Sequence, residues 1–343
     1  MTQKTFYIPP FSPERIIALR EAAFACDLFI TAVSHFDFFN WLAKKPADIT
    51  TVCRELKIKP RPADVMLTLF KAYGFIVEKA GKYYLTDTAK HYLLKKSGFD
   101  LSSYVASLKN RPICDDMKKV LLTGKPANWA AAKEGKDWAA AMEDDAFAES
   151  FTAGMNSRGA YLSSGVVKAL NLKKHQKLLD IGGASGIYAC ALVTANPHLT
   201  AAVFEKPPVD KVAAYSIKKM KLTSKIGVVA GDVFKDPLPD GYDVHFISHV
   251  LHDWDLPKVK KILRNSFKHL APGGIIVLHD AHINKDKSSP LSVAEYSVLL
   301  MFLSEGKCYS TGEMQELLSE AGFGDIKQKS TILNRSIITA RKK

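Results

Sequence analysis

The chain has 343 residues, of which 47% are hydrophobic and 24% charged, enough to bury a sizeable core and to form two domains. No apolar signal segment opens it, and its most apolar short run, Val298 to Leu303, is far too short to span a bilayer, so secretion and membrane insertion are not expected and a cytoplasmic location is. The formal charge of +13 is scattered over short groups such as Lys44-Lys45, Lys118-Lys119 and Lys260-Lys261, a pattern of solvated helix faces that predicts no nucleic-acid partner.

Cys26, Cys53, Cys114, Cys190 and Cys308 are odd in number and contain no Cys-x-x-Cys pair, which supports neither a disulfide framework nor a structural zinc site. From residue 14 to about 45 apolar positions recur at helical spacing, through Ile16, Leu19, Phe24, Leu28, Phe36, Phe39 and Leu42, in excess of what one small helix buries. That excess points to a second copy of the chain as partner. Asp48-Ile49-Thr50-Thr51 reads as a helix start, Pro62 to Tyr73 as a second helix, and Phe75 to Thr86 as strand, turn and strand. Helix, turn, helix, hairpin is a winged-helix plan, which raises the possibility of a helix in a DNA groove. The second helix carries only Lys71 beyond the preceding Arg61, too few cations to neutralise phosphates, so dimerisation is the favoured role. The expected division is a winged-helix dimerisation domain over 1–105 and a second domain over 106–343, with 106–150 as connecting helices.

From residue 176 the pattern alternates. Strands are expected at 176–181, 200–205, 225–230, 242–248 and 274–280, helices at 186–196, 209–221, 256–270, 291–304 and 311–321, and two closing strands at 325–330 and 332–340. Such alternation predicts an α/β fold with a Rossmann-like, doubly wound, mostly parallel sheet whose ligands bind beyond the carboxyl ends of the strands. At the first of those ends stands Asp180-Ile181-Gly182-Gly183-Ala184-Ser185-Gly186, a glycine turn between strand and helix, with an acid, Glu205, about 20 positions later that can grip a ribose diol. The full dinucleotide spacing Gly-x-Gly-x-x-Gly is absent, as is a P-loop lysine. A nucleoside cofactor without a pyrophosphate fits best, and S-adenosylmethionine leads.

These segments, together with Phe151-Thr152-Ala153-Gly154-Met155, Phe204-Glu205-Lys206-Pro207, Gly231-Asp232-Val233-Phe234, Leu251-His252-Asp253-Trp254-Asp255 and Ala271-Pro272-Gly273-Gly274, resemble over nearly the whole chain the S-adenosylmethionine-dependent small-molecule O-methyltransferases of the plant caffeic-acid, bacterial and hydroxyindole type. The resemblance implies that Gly182 and Gly183 hold the methionine part of the cofactor, with Asp180 at the turn or the amino group. It implies Glu205 on the ribose, Asp232 and Val233 at the adenine, and Phe234 either stacked on that ring or filling the core. Ser248 stands where plant members carry a cofactor-binding lysine. Ala184 replaces a usual glycine, a change that is free of strain only if its φ is negative.

The general base implied by the resemblance is His252, whose imidazole titrates near working pH. Asp253 supports the cofactor side or caps the next helix, and Trp254 either belongs to the site or packs. The family orients its histidine with two glutamates. Here the first position is Asp280 and the second is Cys308, in the run Glu305-Gly306-Lys307-Cys308-Tyr309-Ser310, so Glu305 or Asp280 must compensate or the chemistry must differ. Cys308 reads as a small core filler rather than a nucleophile. Met155 and Phe302 are acceptor-pocket candidates beside Phe151, Tyr161 and Met301. His279-Asp280-Ala281-His282 is not read as a metal site, because a strand sends adjacent side chains to opposite faces. The expectation is therefore a homodimeric O-methyltransferase acting on an aromatic or polyketide-like acceptor without a metal. C- or N-methylation or a non-methylating use of the same fold, and a cofactor-sensing DNA-binding regulator, stand as alternatives.

Overall fold

The computed structural model describes residues 10–127 and 143–343. From residue 15 onward these fall into two compact units, one of 15–127 with 283–310 and one of 143–282 with 311–343. The sequence reading drew a single boundary near 105. The observed units are discontinuous, and part of the expected 106–150 connection, residues 128–142, lies outside the described residues.

The first unit contains α1 (Glu14–Glu21), α2 (Ala25–Ser34), α3 (Phe38–Lys44), α4 (Ile49–Leu56), α5 (Pro60–Ala72), the hairpin β1 (Ile76–Lys79) and β2 (Lys82–Leu85), α6 (Asp87–Tyr92), α7 (Ser102–Ala106) and α8 (Pro112–Thr123). Asp48 caps α4 by accepting from the Thr51 amide at 2.7 Å, and Pro60 opens α5, where a missing N–H costs nothing. Between β1 and β2 the turn residues Ala80 and Gly81 both have positive φ, as a two-residue hairpin turn demands. Phe29, Phe38, Phe39, Phe70 and Phe75 pack ring against ring at the centre. The helix Leu291–Leu303, assigned from sequence to the sheet half, belongs to this unit, where it packs on α2, α5 and α8. It is apolar all round, so it needs cover on every side, and the facing helices supply it.

In the second unit the long α9 (Asp145–Ala169) precedes β3 (Lys177–Ile181), α10 (Ile187–Ala195), β4 (Thr200–Glu205), α11 (Val209–Lys219), β5 (Ile226–Ala230), β6 (Val244–Ser248), α12 (Leu256–His269) and β7 (Ile275–Asp280). The helix Leu291–Leu303 is numbered α13, and α14 (Thr311–Glu320), β8 (Gly324–Ser330) and β9 (Ser336–Arg341) close the chain. The strands form one sheet in the order β5-β4-β3-β6-β7-β9-β8, parallel from β5 to β7 and antiparallel at β9 and β8. The Rossmann-like expectation is met. Leu178, Val203, Phe246 and Val277 from the sheet and Leu162, Val166 and Leu192 from its helices are buried in one cluster. Such two-sided burial explains why these strands read as continuous apolar runs. No helix among the described residues is long and apolar enough to cross a membrane.

The turn after β3 is built around a left-handed backbone. Gly182 has φ +68, and a Cβ there would lie 2.8 Å from Val250 Cγ2; at Gly183 it would lie 2.6 Å from the Asp180 carboxyl carbon. Ala184 does not meet the condition for a strain-free alanine, for its φ is +48. Its amide donates to Glu205 Oε2 at 2.9 Å, a bond that holds the residue in a conformation an alanine disfavours. Replacing Ala184 by glycine removes that strain. Ala184→Gly is therefore expected to raise the unfolding free energy by about 1 kcal/mol, read from urea unfolding midpoints at unchanged slope; a destabilised variant would show that the left-handed residue is not strained.

Candidate active site

Beyond the carboxyl ends of β3, β4, β6 and β7 the second unit gathers its buried acids and imidazoles. Asp180, on β3, is fully buried, and neither carboxylate oxygen has a hydrogen-bond partner among the described residues. Burial pushes its pKa up to about 7, with the charge of Glu205 adding and the Ala189 amide opposing. An acid left buried and unpartnered costs several kcal/mol of roughly the kind that a bound cationic amino group recovers. Beside it, the two glycines give the turn a face free of side chains. The residues present thus fit a ligand with an ammonium group.

Glu205, at the end of β4, accepts from the amides of Ala184 and Lys206, both at 2.9 Å, so one of its structural tasks is to clamp the turn. Each oxygen keeps a further lone pair for a hydroxyl. Burial raises its pKa, against those two amides. After β5, Asp232 accepts from the Phe234 amide at 2.9 Å and its own amide donates to Asp236. Val233 lends its carbonyl to Asn265. Phe234 is half-buried and meets Trp254 edge to face at 4.7 Å. The Ser248 hydroxyl lies 2.9 Å from His279 Nδ1, so it is tied to the sheet next door.

His252 sits on a single 3-10 turn, Leu251–Asp253, that follows β6. Its Nδ1 is 2.6 Å from Asp280 Oδ1, and its Nε2 is 3.8 Å from Asp253 Oδ2. Burial pulls the imidazole pKa down, but the charges of Asp280 and Asp253 outweigh it and the net direction is up. Asp280 moves the other way: burial would raise it, yet the charge of His252 and hydrogen bonding hold it well below the usual carboxylate range. Asp280 is therefore an ionised carboxylate buried against the His252 imidazole. The histidines on either side of it in sequence have separate duties, since His279 on β7 faces Ser248 and His282, beyond the strand, has its Nδ1 2.8 Å from Ser336 Oγ.

Of the acceptor candidates, Met155 is half-buried on α9 in the second unit, whereas Phe302 is buried on α13 in the first and stacks on Phe24 at 4.4 Å. Cys308 also belongs to the first unit, where it is buried and its amide donates to Ser297 Oγ at 3.1 Å. Two residues near His252 escaped the sequence reading. His249 follows β6 directly with φ +55 and places its Nδ1 3.4 Å from Asp280 Oδ1; the spacing His249-x-x-His252 was the available signal. Arg158 on α9 acts electrostatically on His249, His252, His279 and Asp253, and no local motif announced it.

A family model described as an O-methyltransferase domain matches residues 115–324. The 3-hydroxy-5-methyl-1-naphthoate 3-O-methyltransferase of Streptomyces sahachiroi is 28% identical over 300 residues, covering 87% of this chain and 86% of the relative. The L-tyrosine C(3)-methyltransferase of Streptomyces lavendulae is 26% identical over 303 residues, covering 86% and 82%. Among solved structures, an O-methyltransferase family 2 protein of Planctomyces limnophilus in complex with apigenin superposes with a TM-score of 0.88 at 25% identity, over 99% of this chain and 98% of that one. With the family model spanning more than half of the residues and the glycine turn and buried acids in place, the chain belongs to the O-methyltransferase domain family and is a methyltransferase that uses S-adenosylmethionine.

Proposed function

We propose that the protein methylates a hydroxyl group of an aromatic or polyketide-like small molecule, with His252 as general base. The observation that carries this reading is the 2.6 Å contact between His252 Nδ1 and the buried Asp280 carboxylate. That contact fixes the tautomer: Nδ1 holds the proton and donates it, so Nε2 keeps its lone pair. The sulfonium cofactor supplies an activated methyl carbon. The protein has to align the acceptor oxygen with it and to remove the hydroxyl proton, which His252 Nε2 takes up. The imidazolium so formed lies between Asp280 and Asp253, the same two charges that raise its pKa. Asp253 carries part of that load.

The cofactor is assigned to the turn as follows. The Asp180 carboxylate takes the ammonium group, Gly182 and Gly183 lie under the methionine part, Glu205 accepts from the ribose, and Asp232, Val233 and Phe234 flank the adenine. Ser248, tied to His279, positions this wall rather than carrying charge. Met155 is assigned to the acceptor. The printed activities of the two relatives, on a hydroxynaphthoate oxygen and on a tyrosine ring carbon, make phenols the class to test first. A second reading, carbon or nitrogen methylation, is favoured by one feature, the thiol of Cys308 where the family carries a glutamate.

A DNA-binding role has little to stand on. Arg61, at the start of α5, spends its guanidinium on the carbonyls of Gly124, Met301, Ser304 and Gly306, and Lys71 is paired with Glu78 at 2.6 Å. The helix that would enter a groove thus has neither cation free for phosphates. For the winged-helix-like first unit we propose dimerisation instead: Ile16 and Leu19 on α1 are 74% and 71% exposed, and Phe99 and Tyr104, before and on α7, are 71% and 79% exposed. Apolar side chains in that number ask for a partner surface.

Incubation with methyl-labelled cofactor and a panel of phenols is expected to give a methyl ether, and His252→Gln to lower kcat by about 10²- to 10⁴-fold while S-adenosylhomocysteine binds as before. A ring-carbon product, or a fully active variant, would overturn the oxygen-methylation mechanism. Cofactor affinity should also depend on pH. Because Asp180 is pushed up to about 7, it is ionised above that pH and neutral below it, so calorimetric affinity for S-adenosylmethionine should fall as pH drops below about 7, approaching tenfold per unit, and Asp180→Asn should bind weakly at every pH. Light scattering after size exclusion is expected to show a dimer, and the double variant Ile16→Glu, Leu19→Glu a monomer.

A further inference from the structure

His249 has a ring that the methyl-transfer mechanism leaves unused. Its side chain is only 6% exposed, and neither ring nitrogen has a hydrogen-bond partner among the described residues, although an imidazole in water would use both. Its backbone adopts φ +55, a left-handed conformation that a residue with a Cβ resists and that a rigid surrounding must impose. The result of that strain is to bring the ring toward the pair already described. Nδ1 of His249 lies 3.4 Å from Asp280 Oδ1, and the two histidine rings are 5.3 Å apart between centroids. One ligand atom each from His249, His252 and Asp280 lies within 4.8 Å of the others.

Two imidazoles and one carboxylate form a donor set suited to borderline divalent cations such as Zn²⁺ and Co²⁺. Metal–nitrogen bonds of about 2.0–2.1 Å put adjacent ligand atoms about 3.3 Å apart, so these three groups need only small rotations to converge. From this geometry we infer that His249, His252 and Asp280 form a divalent transition-metal site, and that a metal bound there switches the base off. The second half rests on the proposed role of His252.

The proton balance shows why. In the metal-free pair Nδ1 of His252 carries the proton and Nε2 the lone pair. A cation between the three groups forms a bond to Nδ1, the Nδ1–H bond breaks, and that proton moves to Nε2. The nitrogen that would accept the proton of the substrate is then already protonated. Bound metal and base catalysis therefore exclude each other, while Asp253, 3.8 Å from Nε2, can accept from the new N–H after a small shift. The guanidinium of Arg158 weakens the site, and the two carboxylates Asp280 and Asp253 offset it.

The test uses the full chain freed of metal with a chelator that is then removed. Titration with Co²⁺, followed by visible absorption, and with Zn²⁺, followed by calorimetry, is expected to show one tight site per chain with a nitrogen and oxygen ligand spectrum. His249→Gln and Asp280→Asn should each weaken that site at least tenfold, and unchanged binding of S-adenosylhomocysteine by His249→Gln will show that it is folded. A wild-type chain that binds neither cation, or that binds them as His249→Gln does through exposed Cys26 or other surface groups, would overturn the site. Zn²⁺ that occupies the site while methyl transfer to a phenol continues would overturn the switch and leave the site standing. A chain that binds Zn²⁺ at these residues but methylates no phenol would count against the proposed function alone.

Discussion

Parallel pairing is the constraint on which the rest of the second unit depends. Because β3, β4, β6 and β7 run side by side in register, their last residues arrive together at one edge: Asp180 opposite Phe246, Ile181 opposite Phe204, Ser248 opposite His279. Side chains far apart in sequence thereby become neighbours without any local signal that they should. Asp280 is the last residue of β7, and His252 lies a few residues past β6, so a bond of 2.6 Å across the strand ends follows from one ladder of backbone hydrogen bonds.

Two aspartates show how that edge separates functions. Asp180 and Asp280 are both buried, and burial alone would raise both. Asp280 has the imidazoles of His252 and His249 beside it and stays ionised. Asp180 has no such partner and is held near neutrality, a state that a bound cation would reverse. The same residue type at the same depth is thus an anion in one place and an acid with a raised pKa in the other.

The site also concentrates backbone strain. Ala184 and His249, both with side chains and both left-handed, occupy the loops that leave β3 and β6. Each is restrained by its neighbours: Ala184 by the carboxylate of Glu205, and His249 by its amide, which donates to the His279 carbonyl at 3.0 Å. Strain of this sort is tolerated where the surrounding sheet is rigid enough to impose it, and here the sheet is buried on both faces.

Whereas His252 with Asp280 came from the family resemblance, periodicity and motif order were enough to read the strand and helix sequence of the C-terminal half and the glycine turn, because apolar runs, turn glycines and the acid after the second strand are local or fixed-interval signals. The helix–helix–hairpin order of the first unit was legible for the same reason. What the sequence could not decide was the allocation of α13, whose apolar residues on all sides suit either unit until a facing helix claims them, and the sign of φ at Ala184, which depends on a carboxylate 21 residues away. Nor could it show that Asp180 stands without a partner while Asp280 has two imidazoles, or that His249 turns inward. Those are properties of distances between strand ends, and only the closed sheet sets such distances.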